Sequence, residues 1–130
     1  MIAIDTNILI RTIVFDNLEQ KAASEKLLMQ NKCFVANSVV QEVFWLLSKI
    51  YKIGKADISK TLRILMDSDN LSFENEQTIR MAILYFENGM DFADAMHLLS
   101  AQNCDKFYTF DKKFVKSAKN IQSPTQVELL

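Results

Sequence analysis

Apolar residues fall along the chain in two rhythms, short unbroken runs and longer stretches at helical spacing, and the two take turns. Residues 1–5 form a brief apolar run that predicts a central strand, and Asp5, Thr6 and Asn7 at its end are small polar residues suited to capping the helical turn that follows. Leucines and alanines recur at helical spacing over Leu18–Gln30, residues 33–36 predict a second strand, and Ser38 reads as the N-cap of a helix reaching about Tyr51. Two further amphipathic helices are expected over 55–67 and 76–88, separated by the short apolar stretch 71–73, with Gly89 ending the second as a C-terminal glycine does. Asp91 opens another helix reaching about Gln102, residues 106–109 form a strand, and residues 111–116 a helical turn. The tail predicts strand residues near Ile121 and then a last short helix with Ser123 as N-cap and Pro124 at its first position.

Strands that alternate with helical stretches imply parallel pairing, because parallel neighbours need a crossover connection. The expected fold is therefore α/β, a three-layer α/β/α sandwich on a parallel central sheet. A chain of 130 residues with 49% hydrophobic composition has room for one core, so a single domain over 1–130 is expected. The apolar stretches are broken by charge well short of the length that spans a bilayer, and the first ten residues lack a signal peptide's basic start, which makes a cytoplasmic protein the expectation.

Composition narrows the chemistry by exclusion. Two glycines, Gly54 and Gly89, cannot build a GxGxxG turn or a phosphate-binding P-loop. The lone His97 has no GxSxG partner, which leaves a Ser-His-Asp hydrolase without footing; flanked by Met96, Leu98 and Leu99, it reads as a hydrogen-bonded, half-core residue rather than a ligand. Cys33 and Cys104 are far apart and in no CxxC spacing, and both read as buried free thiols. A net charge of -1 supplies no whole-molecule attraction to nucleic acid, so local lysines must supply it if RNA is the substrate.

Carboxylates remain. Asp5, Glu42, Asp94 and Asp111 each stand where a strand ends or in the helix that follows, and an open parallel sheet gathers such positions along one edge. Each has a plainer reading beside the functional one. Asp5 and Asp111 are also good helix caps, and Asp91 reads first as the cap of the helix it opens. Glu42 sits at the margin of an apolar arc formed by Val39, Val40, Val43, Phe44, Leu46, Leu47 and Ile50, where it is expected to be partly desolvated unless it meets a cation. Trp45 falls outside that arc. Lys112, Lys113, Lys116 and Lys119 form a basic segment that serves as a solvated face or, beside an acidic site, as a grip on phosphates. Acids without a matching histidine or cysteine cluster favour a hard cation with oxygen ligands, Mg²⁺ or Mn²⁺.

The segments IDTNILI, SVVQEVFWLL, DFADAMHLLSA and FYTFDKKF, in this order, resemble the motifs of PIN domains, and in particular the VapC-type toxin ribonucleases of type II toxin–antitoxin modules. The resemblance covers nearly the whole chain. It implies a metal-dependent endoribonuclease acting on structured RNA, with Asp5, Glu42, Asp94 and Asp111 as the acidic quartet and Asp5, Asp94 and Asp111 on the metal. It also implies Asn7 as the polar residue after the first acid, Asp91 as an additional acid and Thr109 as a hydroxyl residue near the site. A homodimer and a cognate antitoxin protein are further implications. Two rivals stand beside this reading: a non-catalytic RNA- or protein-binding module of the same fold, and a phosphoryl-transfer domain. The second has little support, because a haloacid-dehalogenase-like domain wants DxDxT after the first strand where this chain has DTN.

Overall fold

The computed structural model describes all residues, Met1–Leu130. Its internal contacts gather into two compact units, Met1–Glu76 and Gln77–Leu130.

In the first unit, three parallel strands, β1 (Ile2–Ala3), β2 (Cys33–Val35) and β3 (Leu71–Phe73), pair in the order β1-β2-β3, with Ile2 opposite Cys33 and Cys33 opposite Leu71. Each crossover is helical, as parallel pairing requires: α1 (Thr6–Ile13) and α2 (Leu18–Gln30) join β1 to β2, while α3 (Asn37–Trp45), a π-helical stretch (Leu46–Ile50) and α4 (Lys55–Met66) join β2 to β3. The core is drawn from the apolar faces of these elements, with Leu9, Ile10, Val35, Val43, Leu47 and Leu62 fully buried. In the second unit, α5 (Glu76–Glu87, starting at the boundary) and α6 (Phe92–Ser100) precede a β4–α7–β5 crossover of β4 (Lys106–Thr109), α7 (Lys112–Asn120) and β5 (Gln126–Leu129), in which Phe107 pairs with Val127 in parallel. Every strand pairing in the chain is parallel, so the α/β class expected from the alternation of elements holds. No helix is long and apolar enough to cross a membrane.

Several local expectations are corrected. The first strand is shorter than 1–5, and within its unit it is an edge strand with Ile2 and Ala3 exposed; only these two residues find ladder partners on β2. Ser38 is not the N-cap of α3. The helix starts two residues earlier, behind Ala36, which offers no side-chain cap, and the free amide of Asn37 donates instead to Glu74 Oε1 at 3.1 Å, a carboxylate just past β3. The continuation of α3 to Ile50 is a π-turn, in which Tyr51 N donates to Leu46 O at 3.0 Å. Its wider turn puts residues beyond Leu47 out of α-helical phase, and Ile50, expected on the buried arc, is 57% exposed.

Gly89 ends α5 as expected, by a Schellman arrangement: Met90 N donates to Tyr85 O and Gly89 N to Phe86 O, with Gly89 at φ +105°, a left-handed backbone that a Cβ would strain. The helical turn expected at 111–116 is a full helix, because Phe114 and Ala118 share a face and are both buried. The expected C-terminal helix is absent; after a turn with Gln122 at φ 54°, the residues instead form β5, whose Val127 is buried while its backbone pairs with β4. Cys33 is buried, but Cys104 is exposed, sitting in the turn region after α6 rather than in an element with a core face.

Candidate functional site

In the first unit the strand-to-helix turn builds one pair of acids. Asp5 follows β1 in extended backbone and becomes the N-cap of α1, its Oδ1 accepting a hydrogen bond from Thr6 N at 2.7 Å. Thr6, at the first position of α1, shares a face with Leu9 and Ile10 and is only 2% exposed. A buried hydroxyl needs a partner, and Thr6 Oγ1 donates to Glu42 Oε2 at 2.8 Å, across to the middle of α3. At the far end of α1, Arg11 Nη1 meets Asp16 Oδ1 at 2.8 Å and Tyr51 Oη donates to Asp16 Oδ2 at 2.9 Å, so the turn after α1 is tied to the end of the π-stretch. Hydrogen bonds thus connect α1 at its start to Glu42 and just past its end to Tyr51.

Glu42 itself is exposed, a correction to the partial desolvation expected at the edge of an apolar arc. Its carboxylate meets the hydroxyl of Thr6. Trp45, one turn on, is 55% exposed, in keeping with its place outside the arc. Asn7 is exposed and lines a cavity of about 550 Å³ with Ile8, Arg11, Gln20 and residues of α2.

The second unit builds another acidic group from two helix starts. Asp91 caps α6, its Oδ2 accepting from Asp94 N at 3.3 Å. Asp111 caps α7, its Oδ1 accepting from Lys113 N at 2.9 Å and Phe114 N at 3.2 Å, while its own amide donates to Thr109 Oγ1 at 3.0 Å. Thr109 therefore fixes the turn that delivers Asp111. Asp94 stands one turn into α6, half-buried, and its carboxyl is raised above its ordinary value first by burial and then by the charges of Asp91 and Asp111, with His97 pulling weakly the other way. A helix start favours an acid, yet burial and two like charges outweigh that preference here. His97 is exposed rather than half-core, since its place on α6 turns away from buried Ala95, Met96 and Leu98.

The sequence thus placed four aspartates at helix starts, Asp5, Asp91 and Asp111 as caps and Asp94 three residues beyond one. Within the first unit Asp5 and Glu42 are linked through Thr6, and within the second Asp91, Asp94 and Asp111 act on one another's charge. As the side chains stand, no group of three or more His, Cys, Asp or Glu residues is arranged to hold a metal ion. From the sequence, Thr6 reads as either a cap or part of the site, with no partner named. The signal that finds its larger role is its phase: at three and four residues before Leu9 and Ile10, a hydroxyl on the buried stripe of α1 demands a polar partner.

Parallel strands joined by helices, with aspartates capping helices within each unit, define the class as an α/β protein. The chain belongs to the PIN domain family, whose sequence profile matches residues 2–120. PIN domains as a family are nuclease modules that generally work with divalent metal ions. No curated protein matches the chain.

Proposed function

We propose that this chain is a Mg²⁺- or Mn²⁺-dependent endoribonuclease of the PIN family and the toxin of a toxin–antitoxin pair. The observation that carries the metal-dependent reading is the crowding at Asp94: a half-buried carboxylate raised by burial and by two neighbouring aspartates is an anionic group that gains from a cation. The donor set fits a hard ion. It consists of carboxylate oxygens with an adjoining hydroxyl at Thr109, and the one nearby histidine, His97, points to solvent.

On this reading Asp5, Asp94 and Asp111 hold the ion, and Asp91, Asn7 and Thr109 support them. When bound, such an ion polarises the phosphate and makes water a better nucleophile near neutral pH. Glu42 orients or deprotonates the attacking water, using the carboxylate oxygen that Thr6 leaves free. The exposed Lys112, Lys116 and Lys119, on one face of α7, grip the phosphate backbone and offset the chain's small net negative charge. The profile match runs through both compact units, which supports their working as the single PIN-like domain expected over 1–130. The homodimer and the cognate antitoxin rest on the resemblance to VapC-type toxins, and the cytoplasmic setting on the broken apolar stretches of the sequence.

The test is incubation of structured RNA with Mn²⁺, with Asp5→Asn as the control. Cleavage by the wild type and none by Asp5→Asn is expected. RNA binding without cleavage by either identifies a binding module instead, and equal cleavage by both removes Asp5 from the mechanism.

A further inference from the structure

We infer that Thr6 is a positioning residue for hydrolysis, a clip that fixes the two acids of the first unit relative to each other: its amide holds Asp5 and its hydroxyl holds Glu42. The inference rests on the nuclease reading above and adds to it a residue with no charge and almost no exposed surface.

The geometry is specific about where the hydroxyl proton goes. Three other helical hydroxyls spend their proton on their own helix: Thr12 Oγ1 donates to Leu9 O at 2.7 Å, Ser100 Oγ to Met96 O at 2.8 Å and Ser117 Oγ to Lys113 O at 2.9 Å, with Gly89 O a longer second acceptor for Ser117 at 3.4 Å. Thr6 is the first residue of its helix, so no preceding turn offers it a carbonyl. Its proton goes instead to Glu42 Oε2 at 2.8 Å, 36 residues along the chain. The same residue's N–H is bound to Asp5 Oδ1 at 2.7 Å. Both carboxylates are thereby referred to one rigid point, a residue 2% exposed on a helix whose next turn, Leu9 and Ile10, is fully buried.

Glu42 needs such an anchor. It is exposed, and a glutamate in water samples many rotamers, most of which place its carboxylate away from any water held near Asp5. A β-branched threonine is stiff about its first side-chain bond, and a buried one is stiffer still. Its hydroxyl bond therefore selects one Glu42 conformer, engages Oε2, and leaves Oε1 to accept from the attacking water. Orientation of this kind raises turnover rather than substrate binding.

The experiment compares the full chain with Thr6→Val, which keeps the shape and loses the donor, and Thr6→Ser, which restores the donor, in steady-state RNA cleavage with Mn²⁺. Thr6→Val is expected to lower kcat on the order of tenfold or more, the scale of a hydrogen bond to a charged acceptor, with KM and the Mn²⁺ midpoint unchanged. Thr6→Ser is expected to recover most of that loss. In a Glu42→Gln background, Thr6→Val is expected to cost nothing further, because the group it positions has lost its function. Wild-type kcat in Thr6→Val, or an undiminished loss in the Glu42→Gln background, overturns the positioning role while leaving the nuclease reading intact. Should Thr6→Val fail to fold, Thr6→Ala takes its place as the variant without the donor, with the same expected and overturning results in both backgrounds. Absence of cleavage by the wild type overturns the nuclease reading and this role with it.

Discussion

Replacing Asp94 with asparagine should reverse its effect on stability according to whether a divalent cation is present. Without metal, the wild-type carboxyl is raised above its ordinary value of 3.8 by burial, by Asp91 and by Asp111. The folded state therefore binds this proton more tightly than the unfolded one, and stability falls as pH rises from 3.8 through the raised folded value. Above that window the charged Asp94 carries its full penalty; below 3.8 it is neutral in both states and carries none. Because the side chain is partly open to solvent and the helix start partly favours it, the penalty is held to about 0.5–1 kcal/mol. For a chain of this size, Asp94→Asn at pH 7 in EDTA should then melt roughly 2–4 °C above the wild type, and the gap should close at pH 3. Adding Mg²⁺ at tenfold over its dissociation constant should stabilise the wild type by about 1.4 kcal/mol, or roughly 5 °C, and the mutant far less. Melting curves followed by circular dichroism from pH 3 to 7, with EDTA or Mg²⁺, measure both halves. A mutant less stable than the wild type in EDTA at pH 7 refutes the crowding argument, and equal Mg²⁺ increments in the two proteins remove Asp94 from the metal's ligands.

Two other predictions follow from the same structure. Alanine at Lys112, Lys116 and Lys119 should weaken RNA binding and flatten its salt dependence by about 0.7 in log–log slope per lysine that grips phosphate, while saturating turnover stays near wild type; an unchanged slope returns α7 to a solvated face. Glu74→Ala should lower the melting temperature by roughly 4 °C, on the order of 1 kcal/mol, because the amide of Asn37 at the start of α3 loses its acceptor; an unchanged melting temperature would show that water replaces it.

How much of this was legible in the sequence depends on how local each feature is. Leu18–Gln30 and Lys106–Thr109 were read at their observed bounds, the first from leucines and alanines at helical spacing, a pattern that the Asn17 cap on Gln20 N completes in the structure. The Gly89 stop was legible because only a left-handed residue makes that turn. What failed was decided at a distance. The start of α3 is set by Glu74 from another segment, not by Ser38 beside it. The tail becomes a strand because β4 offers it a parallel partner, which outweighs the local promise of Ser123 and Pro124 as a helix start. The aspartates at helix starts were readable because capping is a local property, whereas the Thr6–Glu42 link depends on α1 meeting α3. The out-of-phase Ile50 needed knowledge of the π-turn, which no periodicity count announces.

Three of the acids also serve as helix caps: Asp5, Asp91 and Asp111 each accept a backbone N–H at the start of α1, α6 or α7. Folding alone would retain aspartate or asparagine at those places even in a descendant that had lost its chemistry. Asp94 caps no helix, and Glu42 has only the duty of meeting the buried Thr6 hydroxyl. On the proposed function, drift at Asp94 across a set of relatives would therefore mark members that have abandoned hydrolysis before the capping aspartates revealed it.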